Sequence, residues 1–262
     1  MAEKEHSPNS PMILTTNLVK RYATVTAVKD LNLSVAKGQV FGFLGPNGAG
    51  KTTTIKMTVG ILKPTSGSVL VDGIDVAKNP IEAKRRIGFI PDRPYIYEKL
   101  TAMEFLHFIG GLFEMNADEA EQRGRELLNM FELNKWADEL VEQFSHGMRQ
   151  RLIMSAAFLH HPKVIVVDEP MVGLDPKGAR LVKRLFKEAA TQGMTVFMST
   201  HSLEVAEQLC DRIAIINHGE IIAEGTMEEL RGKSDTATKL EEIFLELTEG
   251  TQEADVIQVL KE

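Results

Sequence analysis

The run Gly45-Pro46-Asn47-Gly48-Ala49-Gly50-Lys51-Thr52 sets glycines, a lysine and a hydroxyl at the spacing G-x-x-x-x-G-K-[ST]. Residues of these types in this order wrap a phosphate chain. Glycine lets the backbone approach a β-phosphate where a Cβ would collide, and several N–H groups can then point at one anion. Lys51 is placed to reach the β- and γ-phosphates, and the Thr52 hydroxyl to ligate Mg2+. A second group of oxygen ligands stands far downstream, in Asp168-Glu169-Pro170. Asp168 suits a magnesium ion that keeps much of its water. Glu169 suits a general base polarising an attacking water, a role worth about 10²–10⁴ in rate.

Such chemistry needs a frame that brings residues 45–52 and 168–169 together. Gln39 to Leu44 reads as a short buried strand and Thr52 to Gly60 as a helix opening. A loop between them adds the positive end of a helix dipole, roughly half an elementary charge, to the converging N–H groups. Val164-Ile165-Val166-Val167 is an apolar β-branched run of the length of a strand buried on both faces. In an open parallel sheet ligands sit at the carboxyl ends of strands, so Asp168 and Glu169 should emerge beside the phosphates.

A phosphate loop serves kinases, GTPases, helicases and transport ATPases alike. The choice comes from Phe144-Ser145-His146-Gly147-Met148-Arg149-Gln150-Arg151-Leu152, which resembles the LSGGQ signature of the ATP-binding cassette (ABC) family. The match rests on Ser145 and Gly147, then on Arg149-Gln150-Arg151, shortly before the strand that leads to Asp168. Read from the residues alone, Ser145 is an N-cap opening a helix to about His160, with an apolar stripe of Leu152, Ala156 and Leu159. Gly147 in its first turn makes this a second anion-binding terminus.

The resemblance implies that Ser145 and Gly147 grip the γ-phosphate of ATP held by another subunit. It implies that Gly45, Pro46, Asn47, Gly48, Ala49, Gly50, Lys51, Thr52 and Thr53 hold the nucleotide in this one, and that Tyr22 stacks on adenine. Gly173-Leu174-Asp175 is similar to the family's D-loop, in which Asp175 touches the second subunit near its phosphate loop. Thr200-His201-Ser202 follows the apolar strand Thr195 to Met198 and resembles the switch histidine, so His201 joins Glu169 and Lys51 as a catalytic residue. Taken singly, a surface Tyr reads as packing and a His after a strand as the neighbour of a helix cap.

Some positions depart from the family's commonest pattern. Ile87-Gly88-Phe89-Ile90-Pro91 leads to Asp92 where a glutamine is usual. An acidic residue there can meet water or Mg2+ but cannot donate an amide hydrogen bond. His146 and Met148 replace Gly and Gln in the signature, and Val172 replaces a Ser before the D-loop glycine. These changes resemble a variant found in many bacterial exporter ATPases.

The fold implied by the resemblance is α/β: a P-loop NTPase core with a mostly parallel sheet, an N-terminal antiparallel β-subdomain and an inserted α-helical subdomain. The expected division is an ATPase domain over 12–232, its core at 12–91 and 161–232 and its helical subdomain at about 92–160, then a helical tail at 233–262. Segments between about Ile13 and Val40 alternate as antiparallel strands do, and Ser68 to Val71 and Ile87 to Pro91 are assigned to the nucleotide-binding core. Ala117 to Leu133 reads as one helix with Leu127, Leu128 and Phe131 inward. Ile213 to Ile216, the turn His218-Gly219 and Ile221-Ile222 read as a hairpin. In the tail, Leu240, Ile243, Phe244 and Leu247 keep helical spacing and suit packing on the parent domain.

Composition narrows the partners. The 262 residues are 43% apolar, enough for a sizeable core, and no apolar run approaches the ~20 residues of a membrane helix. Met1 to Pro11 is polar with both charge signs, unlike a secretory signal. The one cysteine, Cys210, reads as a packing residue on an amphipathic helix, in keeping with a reducing compartment. A formal charge of −7 gives no electrostatic footprint for nucleic acid, and Lys84-Arg85-Arg86 reads as a solvated helix face. Asn134-Lys135-Trp136-Ala137-Asp138 hints at a guanine-reading motif but has one residue too many and lies away from the phosphate loop.

The resemblance implies an ATPase using ATP and Mg2+ that dimerises around two Mg-ATP, with a homodimer expected. It would power transport, and more specifically export, through a separate polytopic membrane permease at the cytoplasmic face of the cell membrane. Arg93-Pro94-Tyr95-Ile96-Tyr97 is where the family's coupling groove would lie; these residues read either as that groove or as a plug in their own lobe. The alternative is a soluble ABC-type ATPase acting on nucleic acid or the ribosome. Relatives of that kind generally carry a long coiled-coil insertion or two cassettes, and this chain has one set of motifs.

Overall fold

The computed structural model describes residues 10–93, 95–232 and 240–248, the last stretch with side chains at 240 and 242–245. Most of the polar opening from Met1, together with Pro94, the Leu247 side chain and the tail beyond Thr248, lies outside the described residues.

The chain begins with β1 (Ile13–Tyr22), β2 (Val25–Val35) and β3 (Val40–Leu44), then turns through the glycine run into α1 (Lys51–Thr58). β4 (Ser66–Val71), β5 (Ile74–Asp75), α2 (Pro80–Arg85) and β6 (Ile87–Ile90) follow. Three helices come next: α3 (Ala102–Leu112), α4 (Ala117–Met130) and α5 (His146–Leu159). The second half alternates as β7 (Val164–Asp168), α6 (Pro176–Thr191), β8 (Thr195–Thr200), α7 (Leu203–Leu209) and β9 (Arg212–Asn217). β10 (Glu220–Gly225), α8 (Met227–Arg231) and α9 (Leu240–Thr248) complete it.

Two sheets result. One is antiparallel, in the order β2-β1-β4-β5; the other runs β10-β9-β3-β8-β7-β6, parallel except for β10. The parallel strands are buried on both faces, and their period of two sorts side chains between two cores. Val164 and Val166 of β7, with Phe41, Phe43 and Phe197, face the antiparallel sheet. Ile165 and Val167, with Val196 and Met198, face the core shared with α3 to α6. A third cluster takes Ile213 and Ile215 of β9, and Leu240 and Ile243 of α9 pack on it, so the tail helix folds back on its own domain.

Side-chain caps start several of the helices, the expected one at Ser145 among them. Thr101 and Thr226 form capping boxes with Glu104 and Glu229, while Asn116, Ser145, Asp175 and Ser202 accept a backbone N–H from the first turn. The β9–β10 hairpin turns at His218-Gly219, both at positive φ, as the sequence predicts.

Three expectations need correction. Ser68 to Val71 belongs to the antiparallel sheet: β4 pairs β1, with Leu14 opposite Leu70, and buries only its alternate residues Val69 and Val71. The helix expected to reach Leu133 stops at Met130. Glu132 turns left-handed (φ 58), and Leu133 and Glu132 donate to the carbonyls of Leu128 and Asn129, a Schellman closure. Leu133 stays buried beyond that turn, so the apolar period outlasts the helix. Cys210 is not on a helix but caps the C-terminus of α7; burial pushes its thiol up to about 12, which keeps it unreactive.

Candidate active site

Between β3 and α1 the glycine run is held by its surroundings. A Cβ on Gly45 would collide with the Ile216 carbonyl, and one on Gly50 (φ 111) would stand 2.5 Å from the Ala27 carbonyl. The β9–β10 turn staples the loop to the antiparallel sheet: Gly219 donates to the Ala49 carbonyl (2.9 Å), and Lys29 donates to that of Gly219 (2.8 Å). Inside the loop Lys51 is 7% exposed, its Nζ donating to the carbonyls of Gly45 (2.6 Å) and Pro46 (3.1 Å). Burial draws the Lys51 pKa below the ordinary lysine value, and the negative charges of Glu169 and Asp168 offset part of that shift.

The carboxylates arrive from the neighbouring strands. Asp168 ends β7 and is buried; Ser199 of the adjacent β8 donates its hydroxyl hydrogen to Asp168 Oδ1. Glu169 follows with φ 54, a left-handed conformation costly for a side chain with a Cβ and typical of functional turns. That bend aims its carboxylate at His201, whose Nδ1 lies 2.8 Å from Glu169 Oε1.

A cleft of about 340 Å³ is lined by Asn47, Gly48, Gly50, Lys51, Thr52 and Thr53 together with Asp92, Asp168, Glu169 and His201. Ala27 of β2 and Val172 also line it, and a Cβ on Gly48 would meet only open space. The donors fit a magnesium ion: Thr52, Asp168 and Asp92 offer only oxygen, the ligand type that Mg2+ prefers. Among the described residues no cluster of three His, Cys, Asp or Glu could hold a metal by itself.

Other expected site residues lie elsewhere. Tyr22 ends β1, is 45% exposed, and carries the Lys20 ammonium 5.3 Å from its ring centroid, outside the cleft. Ser145 and Asp175 cap α5 and α6, and Gly147 stands in the first turn of α5; none of them lines the cleft. The reading from residues missed Ala27, Ser199 and Gly219. Ser199, two residues before His201 on a fully buried strand, carried a weak signal, whereas Ala27 and Gly219 carried none without the tertiary pairing.

A separate apolar groove of about 380 Å³ opens between α1, β6, α3 and α5, lined by Ile61, Phe89, Tyr95, Tyr97, Ile109 and Ile153 among others. Tyr95 is 93% exposed and Tyr97 58%, so neither tyrosine plugs the lobe. Ile96 does pack against the helical core. At the groove's end His160 stacks on Phe113 (centroids 3.6 Å apart) with its Nε2 3.0 Å from the Ile87 carbonyl. Beside it α5 approaches β6 so closely that a Cβ on Gly88 would collide with the Ala157 carbonyl.

Comparison with known proteins agrees with this geometry. The family model described as ABC transporter matches residues 28–172. The linearmycin resistance ATP-binding protein LnrL of Bacillus subtilis (strain 168) is 41% identical over 219 residues, covering 84% of this chain and 70% of that protein. A solved ATP-binding subunit of an ABC transporter superposes with a TM-score of 0.85 at 31% identity, covering 90% of this chain and 99% of that one. A dimeric ATP-binding cassette in a post-hydrolysis state, bound to ADP and Pi, superposes at 0.76 with 29% identity, covering 82% and 98%. The chain therefore belongs to the ABC transporter family, as an ATP-binding subunit that hydrolyses ATP with Mg2+.

Proposed function

We propose that the chain closes with a second copy of itself around two Mg-ATP and drives export through a separate membrane-spanning subunit, from the cytoplasmic face of the cell membrane. One observation carries the reading: the site is split. Lys51, Thr52, Asp168, Glu169 and His201 share one cleft, while the anion-binding start of α5 at Ser145 and Gly147 lies outside it. An N-terminus so placed meets γ-phosphate on another chain's ATP rather than on its own. Dimer closure then follows from contacts made only with ATP present, the condition for a ligand to shift a conformational equilibrium.

Within each cleft the loop N–H groups and Lys51 bind the β- and γ-phosphates, and Asn47, Gly48 and Thr53 complete the lining. Thr52, Asp168 and Asp92 would hold Mg2+, which would neutralise charge on the phosphate oxygens. Ser199 orients Asp168. Glu169 accepts a proton from water as the water oxygen attacks the γ-phosphorus and the bond to the bridging β–γ oxygen breaks, leaving ADP and phosphate. His201 orients that carboxylate. Lys51→Ala should weaken triphosphate binding itself.

The membrane partner is inferred from the apolar groove. Among the described residues no helix is long and apolar enough to cross a membrane, and the groove offers a surface through which motion could pass to another chain. The exposed rings of Tyr95 and Tyr97 beside Ile61 and Phe89 suit a short apolar helix of that chain. Export draws support from the likeness to a linearmycin resistance protein and from Ser145-His146-Gly147-Met148 with Asp92. The test is to capture the protein natively from gently solubilised membranes. A polytopic membrane protein in near-equal amount that alters ATPase activity supports the proposal. Recovery with ribosomes, nucleic acid or cytosolic proteins alone would remove the transporter and leave the ATPase.

A further inference from the structure

The signature turn and the turn after β7 touch within one chain. Gly173, at φ 78, lies directly under His146: a Cβ on it would overlap Nδ1 and Cε1 of the imidazole. Gly147 sits over the same residue, its would-be Cβ 3.3 Å from the Gly173 carbonyl. The two turns are closely framed. Ser145 Oγ accepts the Met148 N–H and Asp175 Oδ1 accepts the Gly178 N–H, so each turn opens a capped helix. Val172 and Leu174 donate to the carbonyls of Glu169 and Met171, which winds the second turn tightly onto the catalytic glutamate. A second tie runs alongside, where Lys177 at the start of α6 meets Glu132 at 2.7 Å.

We propose that His146 is a positioning residue: its ring, seated on Gly173, registers the signature turn against the 173–175 turn, so that both are presented to a second copy of the chain as one surface. The proposal rests on the dimer reading above. It assigns a purpose to two residues together. The imidazole occupies the space over Gly173, so a side chain there would have to displace the ring from its seat, in addition to the strain that φ 78 imposes. Ring packing, rather than a nitrogen, carries the contact.

The experiment is a double-mutant cycle in the full-length Glu169→Gln protein, reading the ATP-dependent dimer constant by analytical ultracentrifugation and ATP affinity separately. His146→Gly should weaken the dimer about fivefold or more while ATP affinity of the monomer holds, and His146→Phe should restore it. Gly173→Ala should be more damaging with His146 present than with His146→Gly, because only one background contains the overlap; circular dichroism confirms that each variant is folded. Equal losses from Gly173→Ala in both backgrounds overturn the proposal, as does a failure of His146→Phe to improve on His146→Gly. Absence of an ATP-dependent dimer in the Glu169→Gln parent overturns the dimer reading and the proposal with it, and that outcome is seen before His146 is changed.

Discussion

Nδ1 of His201 lies 2.8 Å from Oε1 of Glu169, although the two residues leave the sheet from adjacent strands 32 positions apart. Glu169 bends to φ 54 to make the contact, and the imidazole remains 63% exposed at the mouth of the cleft. A carboxylate restrained in this way meets water in one orientation, as a general base requires.

Replacing the proposed base, Glu169, isolates its role. Glu169→Gln is expected to retain ATP binding and accumulate a nucleotide-bound dimer, with turnover lowered about 10²–10⁴-fold. Phosphate release and gel filtration with ATP read the two effects; near-normal hydrolysis would take Glu169 out of the mechanism.

His201→Ala removes the restraint and leaves the carboxylate. The expected result is a fall in kcat of about 10²-fold with little change in ATP affinity. A variant that hydrolyses at the wild-type rate would make the 2.8 Å contact incidental.

Ser199→Ala separates orientation of Asp168, the proposed metal ligand, from catalysis. With no hydroxyl donating to Asp168 Oδ1, half-maximal activity should need about 10- to 100-fold more Mg2+, while kcat at saturating Mg2+ stays close to wild type. A Mg2+ titration decides it, and an unshifted curve would show that Asp168 needs no such partner.

Tyr95→Ala combined with Tyr97→Ala should leave basal ATPase unchanged, since both rings lie outside the nucleotide cleft. Stimulation by the membrane partner, and transport with it, should be lost. Collapse of basal turnover would instead assign the rings to the fold.

His160 gives stability a pH dependence. Burial, with His161 adding positive charge nearby, holds its pKa down at about 4 against an ordinary 6.5; the Ile87 carbonyl opposes the shift without reversing it. Its buried Nδ1 has no partner to reward protonation. The unfolded chain therefore binds the proton more readily, and this contribution to stability is complete above pH 6.5 and is lost as pH falls towards about 4. The loss is at most about 3 kcal/mol. Denaturant midpoints measured across that window should flatten in His160→Gln; an unchanged slope would place the acid sensitivity elsewhere.

Much of this was legible before any coordinates, for local reasons. The strand–loop–helix around Gly45 to Thr52, the strand ending in Asp168 and the Ser145 cap each carry their signal within a few residues. What stayed hidden depends on pairing between distant segments. β4 reads as a core strand until its partner is known to be β1. Leu133 continues the helical period of α4 because the Schellman turn folds it back into the same core. Ser199 becomes informative only once β8 lies beside β7. The placement of His146 on Gly173 has no trace in either motif read alone.

The two ends of α5 meet different surfaces. At the groove α5 is pressed on β6 where Gly88 admits the Ala157 carbonyl, and 12 positions earlier it begins at Ser145. At 1.5 Å per residue that arm is about 18 Å long. A tilt of about 10° around the crossing would carry Ser145 through about 3 Å, as far as a whole hydrogen bond spans. On the proposed dimer reading such a tilt would act as a lever with its fulcrum under the groove: a small displacement there would become, at the far end, the difference between gripping a phosphate and releasing it.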